Sequence, residues 1–114
     1  MRIASFNINN VNSRFDSLLD WLATEEPDIV CLQELKADQA AFPAEALDQL
    51  GYGAVWVGQR TWNGVAILAK GSTPIRTRSR LPGDPHDAQA RYVEAAVYGV
   101  LIGCLYLPNG NPQP

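Results

Sequence analysis

Histidine occurs once in this chain, methionine once and cysteine twice. Two cysteines, Cys31 and Cys104, lie inside apolar strand-like runs with no spacing motif between them. That usage excludes a disulfide framework and fits a reduced, intracellular and cytoplasmic protein, although the sequence alone leaves the pair free or joined. No excess of positive charge is present: 9 Lys and Arg stand against 12 Asp and Glu, a net charge of −3. An overall field that draws in nucleic acid is therefore absent, and any DNA contact must use local arginines, with help from a metal. No apolar run approaches the ~18 residues of a membrane helix. The opening Met-Arg-Ile-Ala-Ser-Phe also lacks the apolar core of a secretory signal, so neither a membrane nor export is expected. Internal repeats and low-complexity segments are missing too.

What is there suits one domain: 114 residues, 46% of them hydrophobic. The chain is organised around Pro27 to Lys36. Ile29, Val30, Cys31 and Leu32 form a continuous apolar run, which reads as a buried strand of a parallel sheet. Polar residues then arrive together: Gln33, Glu34 and Lys36. Upstream, Ile3 to Phe6 reads as the first strand, followed by the asparagine-rich Asn7 to Asn12. Phe15, Leu18, Leu19 and Leu22 recur at spacings of three and four, predicting a helix from Ser13 to Thr24 with Asn12 or Ser13 as cap. Strand, helix, strand is a right-handed βαβ unit with parallel strands. Asn7 and Glu34 must then emerge at the same edge of the sheet, where open α/β sheets place their ligand sites. Neighbouring strands would set them ~5 Å apart.

Downstream, a second helix is expected from Pro43 to Leu50, and strands at Ala54 to Val57, Val65 to Ala69 and Ile75 to Leu81. Gly58 to Gly64 gathers donors and aromatics: Gln59, Arg60, Trp62 and Asn63. Arg76, Arg78 and Arg80 alternate, so period two puts them on one face, as suits a solvated edge strand more than a phosphate stripe. Pro82 to Ala90 reads as a polar loop, and its His86 as a surface histidine. Arg91 to Tyr98 and Val100 to Leu107 form a hairpin around Gly99.

Three strand ends thus carry polar groups: Asn7, Glu34, and Tyr106 with Asn109. One carboxylate and one amide are a hard oxygen set of the kind Mg²⁺ accepts together with water and a substrate phosphate. A phenol and a second amide nearby could donate to phosphate oxygens. A solvated loop and ordinary strand-end residues are the plainer alternatives.

Six segments also resemble the exonuclease III branch of the endonuclease/exonuclease/phosphatase superfamily. They are Ser5-Phe6-Asn7-Ile8-Asn9, Leu32-Gln33-Glu34-Leu35-Lys36, Gly64-Val65-Ala66-Ile67-Leu68, Leu81-Pro82-Gly83-Asp84, Arg91-Tyr92-Val93-Glu94 and Tyr106-Leu107-Pro108-Asn109-Gly110. Each is weak alone, and together they run in family order over nearly the whole chain. Leu35 departs from the threonine usual there. The resemblance implies a two-sheet α/β sandwich, a mixed sheet with flanking helices, of which residues 1–114 are the N-terminal half. It implies a Mg²⁺-dependent (or Mn²⁺-dependent) DNA repair nuclease acting on double-stranded DNA at abasic sites or 3′ ends. Glu34 would be the carboxylate metal ligand and Asn7 its support. Tyr106 would contact the scissile phosphate and Asn109 would position it. Asn9, Lys36 and Arg91 would lie on the nucleic-acid side.

The family's later Asp-x-Asn and Asp-His motifs are not found here, so the chain alone is expected to be inactive. Alternative readings are a non-catalytic half-domain binding metal, DNA or a partner, and a phosphatase or phosphodiesterase of the same superfamily. One further expectation concerns packing. Two helices cover only one sheet face, and Val55, Val57, Val65, Ile67, Val93, Ala95, Ile102 and Cys104 are of alternating phase, so some of them should point to an apolar face left open to self-association or to a missing C-terminal half.

Overall fold

The structure is a computed structural model and describes residues 1–60, 62–79 and 90–107. It holds two sheets packed face to face. The first contains β1 (Ile3–Asn7), β2 (Ile29–Gln33), β3 (Tyr52–Val57) and β4 (Val65–Lys70) in the spatial order β1-β2-β4-β3. The second contains β5 (Ile75–Arg78), β6 (Tyr92–Val97) and β7 (Val100–Leu105) in sequential order. Helices α1 (Phe15–Glu25) and α2 (Ala44–Gln49) cover the outer side of the first sheet.

The βαβ reading holds. β1 and β2 pair in parallel, with Asn7 opposite Gln33, one residue before Glu34. β2 is apolar throughout because both its faces are covered. Val30 and Leu32 pack with Leu18, Leu22 and Leu47 of the helices, while Ile29 and Cys31 pack toward the second sheet. β4 does the same, sending Ala66 and Leu68 to the helices and Val65, Ile67 and Ala69 inward between the sheets. The hairpin also forms. Tyr98 and Gly99 both have positive φ, 51° and 76°, as a two-residue turn matched to strand twist requires.

Three expectations need correction. The helix does not begin on a side-chain cap at Asn12 or Ser13. Arg14 precedes its first turn without a capping bond, and Asn10 Oδ1 accepts from the Ser13 N–H instead. The arginines of β5 do not share a face. A bulge sets Arg76 opposite Ala95 but Arg78 opposite Glu94, and those two neighbours face opposite sides of the sheet. The strand is nevertheless the exposed edge of its sheet; Arg80 lies outside the described residues, as does His86.

The third correction is the largest. The eight residues among which an open apolar face is expected all join the core between the two sheets instead. Val65, Ile67, Val93, Ala95 and Cys104 are buried there, with Val55, Val57 and Ile102 packed against them. The second sheet of this same chain covers the face, so that face is not available for self-association or for a missing half. The two cysteines meet in this layer as free, buried thiols. The Cys104 thiol beside it and burial push the Cys31 thiol up.

Glu94 ties the second sheet together. Its carboxylate accepts from Thr77 Oγ1 at 2.7 Å and from Tyr92 Oη at 2.9 Å. Thr77, then Tyr92, holds its pKa below the ordinary 4.5, with Arg78 adding a smaller attraction. A carboxyl depressed in the folded state stabilises above its unfolded pKa and loses that contribution as pH falls. A Glu94→Gln chain should therefore melt below wild type at pH 7, and the gap should shrink as both are acidified below the ordinary glutamate value of 4.5 and close once pH falls through the depressed folded-state value. Melting curves by circular dichroism over that range check this.

Candidate metal and phosphate site

Two left-handed residues build the site. The chain leaves β2 at Gln33, and Glu34 and Lys36 then adopt φ of 57° and 51°. Each such non-glycine residue costs about 1–2 kcal/mol, so the surroundings must hold them. They do so on both sides. The Asn10 and Val11 N–H groups donate to the carbonyls of Glu34 and Leu35, each at 2.9 Å. The Leu35 and Lys36 N–H groups donate to the carbonyls of Gly64 and Asn63, each at 3.1 Å. Leu35 between them is fully buried in the helix-side core. The anchored turn throws Glu34 and Lys36 to one side, above the end of β1.

There Asn7 Nδ2 donates to Glu34 Oε1 at 2.7 Å, and Lys36 Nζ lies 3.3 Å from Glu34 Oε2. The Asn7 bond lowers the Glu34 pKa; partial burial works against it and Lys36 assists it. Tyr106 follows β7 and reaches the same carboxylate. Burial first, then the Glu34 charge, raises the Tyr106 pKa, while Arg91 opposes that rise. The phenol therefore stays protonated at neutral pH. Arg91 is brought alongside because the Tyr106 N–H donates to its carbonyl at 2.8 Å, extending the β6–β7 ladder. Its Nε is buried and has no hydrogen-bond partner among the described residues.

The structure thus brings Asn7, Glu34, Lys36, Tyr106 and Arg91 to one edge of the sandwich. Asn9 is near but separate: it is exposed, has φ of 48°, and its carbonyl accepts from Arg14 Nε at 3.3 Å. A cleft of about 480 Å³ opens beside Asn7 and Asn9, walled by Phe6, Leu18 and Trp21. Asn109 lies outside the described residues.

Sequence reasoning named Gln33 but gave it no role, and it did not foresee the part played by Ser5. Gln33 Nε2 donates to Ser5 Oγ at 3.0 Å and to Cys104 Sγ at 3.4 Å, linking both sheets just beneath Glu34. Its signal was position, as the first polar residue after an apolar run.

The donor set fits Mg²⁺. One ionised carboxylate and one amide oxygen satisfy a cation that takes one or two carboxylates and keeps several waters. Among the described residues no three of His, Cys, Asp or Glu gather, so no closed all-protein cage is offered.

A mixed α/β sandwich that gathers a carboxylate, an amide, a phenol and two cations at one sheet edge is a narrow class of protein. The chain matches the Endonuclease/Exonuclease/phosphatase family over residues 4–112 and belongs to it. It is 39% identical to exodeoxyribonuclease III of Haemophilus influenzae over 99% of its own length and 43% of that protein's. The structure is similar to a 3′-5′ exonuclease from Neisseria meningitidis, with a TM-score of 0.89 and 44% identity over 96% of this chain and 43% of that one. It is also similar to an AP endonuclease from Archaeoglobus fulgidus, with a TM-score of 0.87 and 33% identity over 95% and 41%. The resemblance to the exonuclease III branch therefore holds, and the chain spans about two fifths of the length of these relatives. No helix of the described residues is long and apolar enough to cross a membrane.

Proposed function

We propose that this chain supplies the metal-binding and phosphate-facing side of a Mg²⁺-dependent DNA repair nuclease of the exodeoxyribonuclease III and abasic-site endonuclease type. The observation that carries the reading is the convergence of Asn7, Lys36 and Tyr106 on the Glu34 carboxylate. The substrate would be double-stranded DNA at abasic sites or 3′ ends, a choice supported by the names of the relatives. When bound, Mg²⁺ would neutralise charge on a phosphate oxygen and orient it.

The chain's own groups have separate tasks. Glu34 is held ionised by the Asn7 amide and the Lys36 ammonium. Asn7 holds Oε1 of that carboxylate while Lys36 sits against Oε2. Tyr106, kept protonated, is a hydrogen-bond donor aimed at a phosphate oxygen. Arg91 adds positive charge on the same side. In a chain of net charge −3 these local cations must outweigh the whole, so binding to DNA should weaken steeply with salt.

The test uses Mn²⁺ and a short duplex containing a tetrahydrofuran abasic site. Water-proton relaxation should report weak Mn²⁺ binding that drops at least ~10-fold in Glu34→Gln. Manganese should also broaden the phosphorus resonance next to the abasic site with the wild-type chain and not with the variant. Equal relaxation enhancement in the two proteins would sink the metal assignment.

A further inference from the structure

Asn63 is 6% exposed and is the buried polar residue of the described core. Its side chain does not face the site. Nδ2 donates to Gln59 Oε1 at 3.0 Å, and the same Gln59 oxygen accepts from the Ala90 N–H at 2.9 Å. The backbone continues the pattern. The Gly64 N–H donates to the Ala90 carbonyl at 2.7 Å, while the Asn63 and Gly64 carbonyls take the Lys36 and Leu35 N–H groups. One polar node therefore grips two segments far apart in sequence. The first is the left-handed turn that displays Glu34. The second is the residue just before Arg91.

Mere connection of β3 to β4 does not require this wiring. The approach is also as close as backbone permits: a Cβ on Gly64 would come 2.8 Å from Leu35 Cβ. Asn63 and Gly64 both have positive φ, 59° and 92°, which asparagine and glycine accept most readily. Removing the Gln59 oxygen would orphan two buried donors at once, Asn63 Nδ2 and the Ala90 N–H, and a buried unpaired donor is expensive. The segment would shift to satisfy them, and the acceptors that hold Leu35 and Lys36 would move with it. Glu34 and Lys36 would then relax from a conformation they do not favour on their own.

We infer that Gln59 and Asn63 are positioning residues for the metal and phosphate site, setting the Glu34 turn and the approach to Arg91 through one shared carbonyl oxygen. The inference rests on the metal reading of Glu34 given above. Partners of this kind, one layer behind the ligand, commonly change metal affinity by about 10–100-fold.

The experiment uses the 114-residue chain as wild type, Gln59→Met, Gln59→Glu, Asn63→Gly and Thr77→Val. Gln59→Met keeps shape but loses the acceptor. Gln59→Glu keeps an acceptor oxygen. Asn63→Gly keeps the left-handed backbone and drops the amide. Thr77→Val weakens the second sheet, away from the site. Two readouts are taken: Mn²⁺ affinity by water-proton relaxation, and metal-free hydrogen exchange of the Leu35 and Lys36 amides. Gln59→Met and Asn63→Gly should bind Mn²⁺ about 10-fold more weakly and exchange faster at both amides. Gln59→Glu should stay near wild type in both, and Thr77→Val should lower the melting temperature while moving neither. Wild-type Mn²⁺ affinity in a folded Gln59→Met overturns the inference, and so does an equal loss in Thr77→Val. Faster exchange in Gln59→Met, alongside a Mn²⁺ response that Glu34→Gln leaves intact, overturns the metal reading and leaves the bracket standing.

Discussion

Ile67→Asp should abolish the cooperative melting transition of this chain, while Leu101→Asp should leave it nearly unchanged. Both residues are strand aliphatics. Ile67 is 0% exposed between the sheets, and Leu101 is 61% exposed on the outer side of the second sheet. Truncating a buried aliphatic costs about 2–5 kcal/mol through lost burial and the cavity left behind. Putting a carboxylate there without a partner adds several kcal/mol more. The sum rivals the roughly 5–15 kcal/mol that holds an ordinary domain folded. On the outer side the carboxylate keeps its water, and the change should stay within about 0.5 kcal/mol. Circular dichroism melts and a hydrophobic dye report both variants. A folded, dye-silent Ile67→Asp would mean that the two sheets do not pack as described. Unfolding of Leu101→Asp would place the covered face on the other side of β7.

That contrast marks where the sequence was legible and where it was not. The pairing of β1 with β2 could be read because the evidence was local. An apolar run covered on both faces has no alternation, and its polar end shows where the sheet stops. From there a βαβ unit forces Asn7 and Glu34 to one edge, and the 2.7 Å bond between them follows. The resemblance implied two sheets, but that this chain supplies strands to both was not legible. Alternation along Val93, Ala95 and Val97 states that one face is apolar but not which partner covers it. Nothing local distinguishes a β4 strand that continues one sheet from a β6 strand that begins another. The bulge between Arg76 and Arg78 was hidden for the same reason, since period two assumes an unbroken register.

The site was read in its donors and missed in its supports. Glu34 and Tyr106 announce themselves as polar groups at strand ends. Their geometry depends on two left-handed residues, Glu34 and Lys36, which have no preference for that conformation and adopt it because four backbone hydrogen bonds from Asn10, Val11, Asn63 and Gly64 hold the turn. Tertiary context of that sort leaves no mark in composition. Asn63 did leave one: an asparagine before a glycine is a common signal for a left-handed turn. Its part as a buried bracket follows only from its bond to Lys36 and from the Gln59 oxygen it shares with the Ala90 N–H.

The other large effect concerns cleavage. The isolated 114-residue chain should give no metal-dependent nicking of an abasic-site duplex above background, even where it binds Mn²⁺ and DNA. Phosphodiester hydrolysis needs an activated water as well as an anchored phosphate, and a positioned general base is worth about 10²–10⁴ in rate. Glu34 is the one carboxylate among the described residues at this site, and it is engaged by Asn7 and Lys36. A carboxylate whose proton affinity has been lowered by those partners is a poor base. Tyr106, with its pKa raised, can donate a proton contact but cannot take a proton at neutral pH. What remains is positioning and electrostatic stabilisation without the proton transfer. Gel assays with a labelled tetrahydrofuran duplex, with and without Mg²⁺, measure this directly. Cleavage that requires Mg²⁺ and vanishes in Glu34→Ala would show that the chain already carries a base, and would direct the search to the acidic and histidine residues between Arg80 and Gln89.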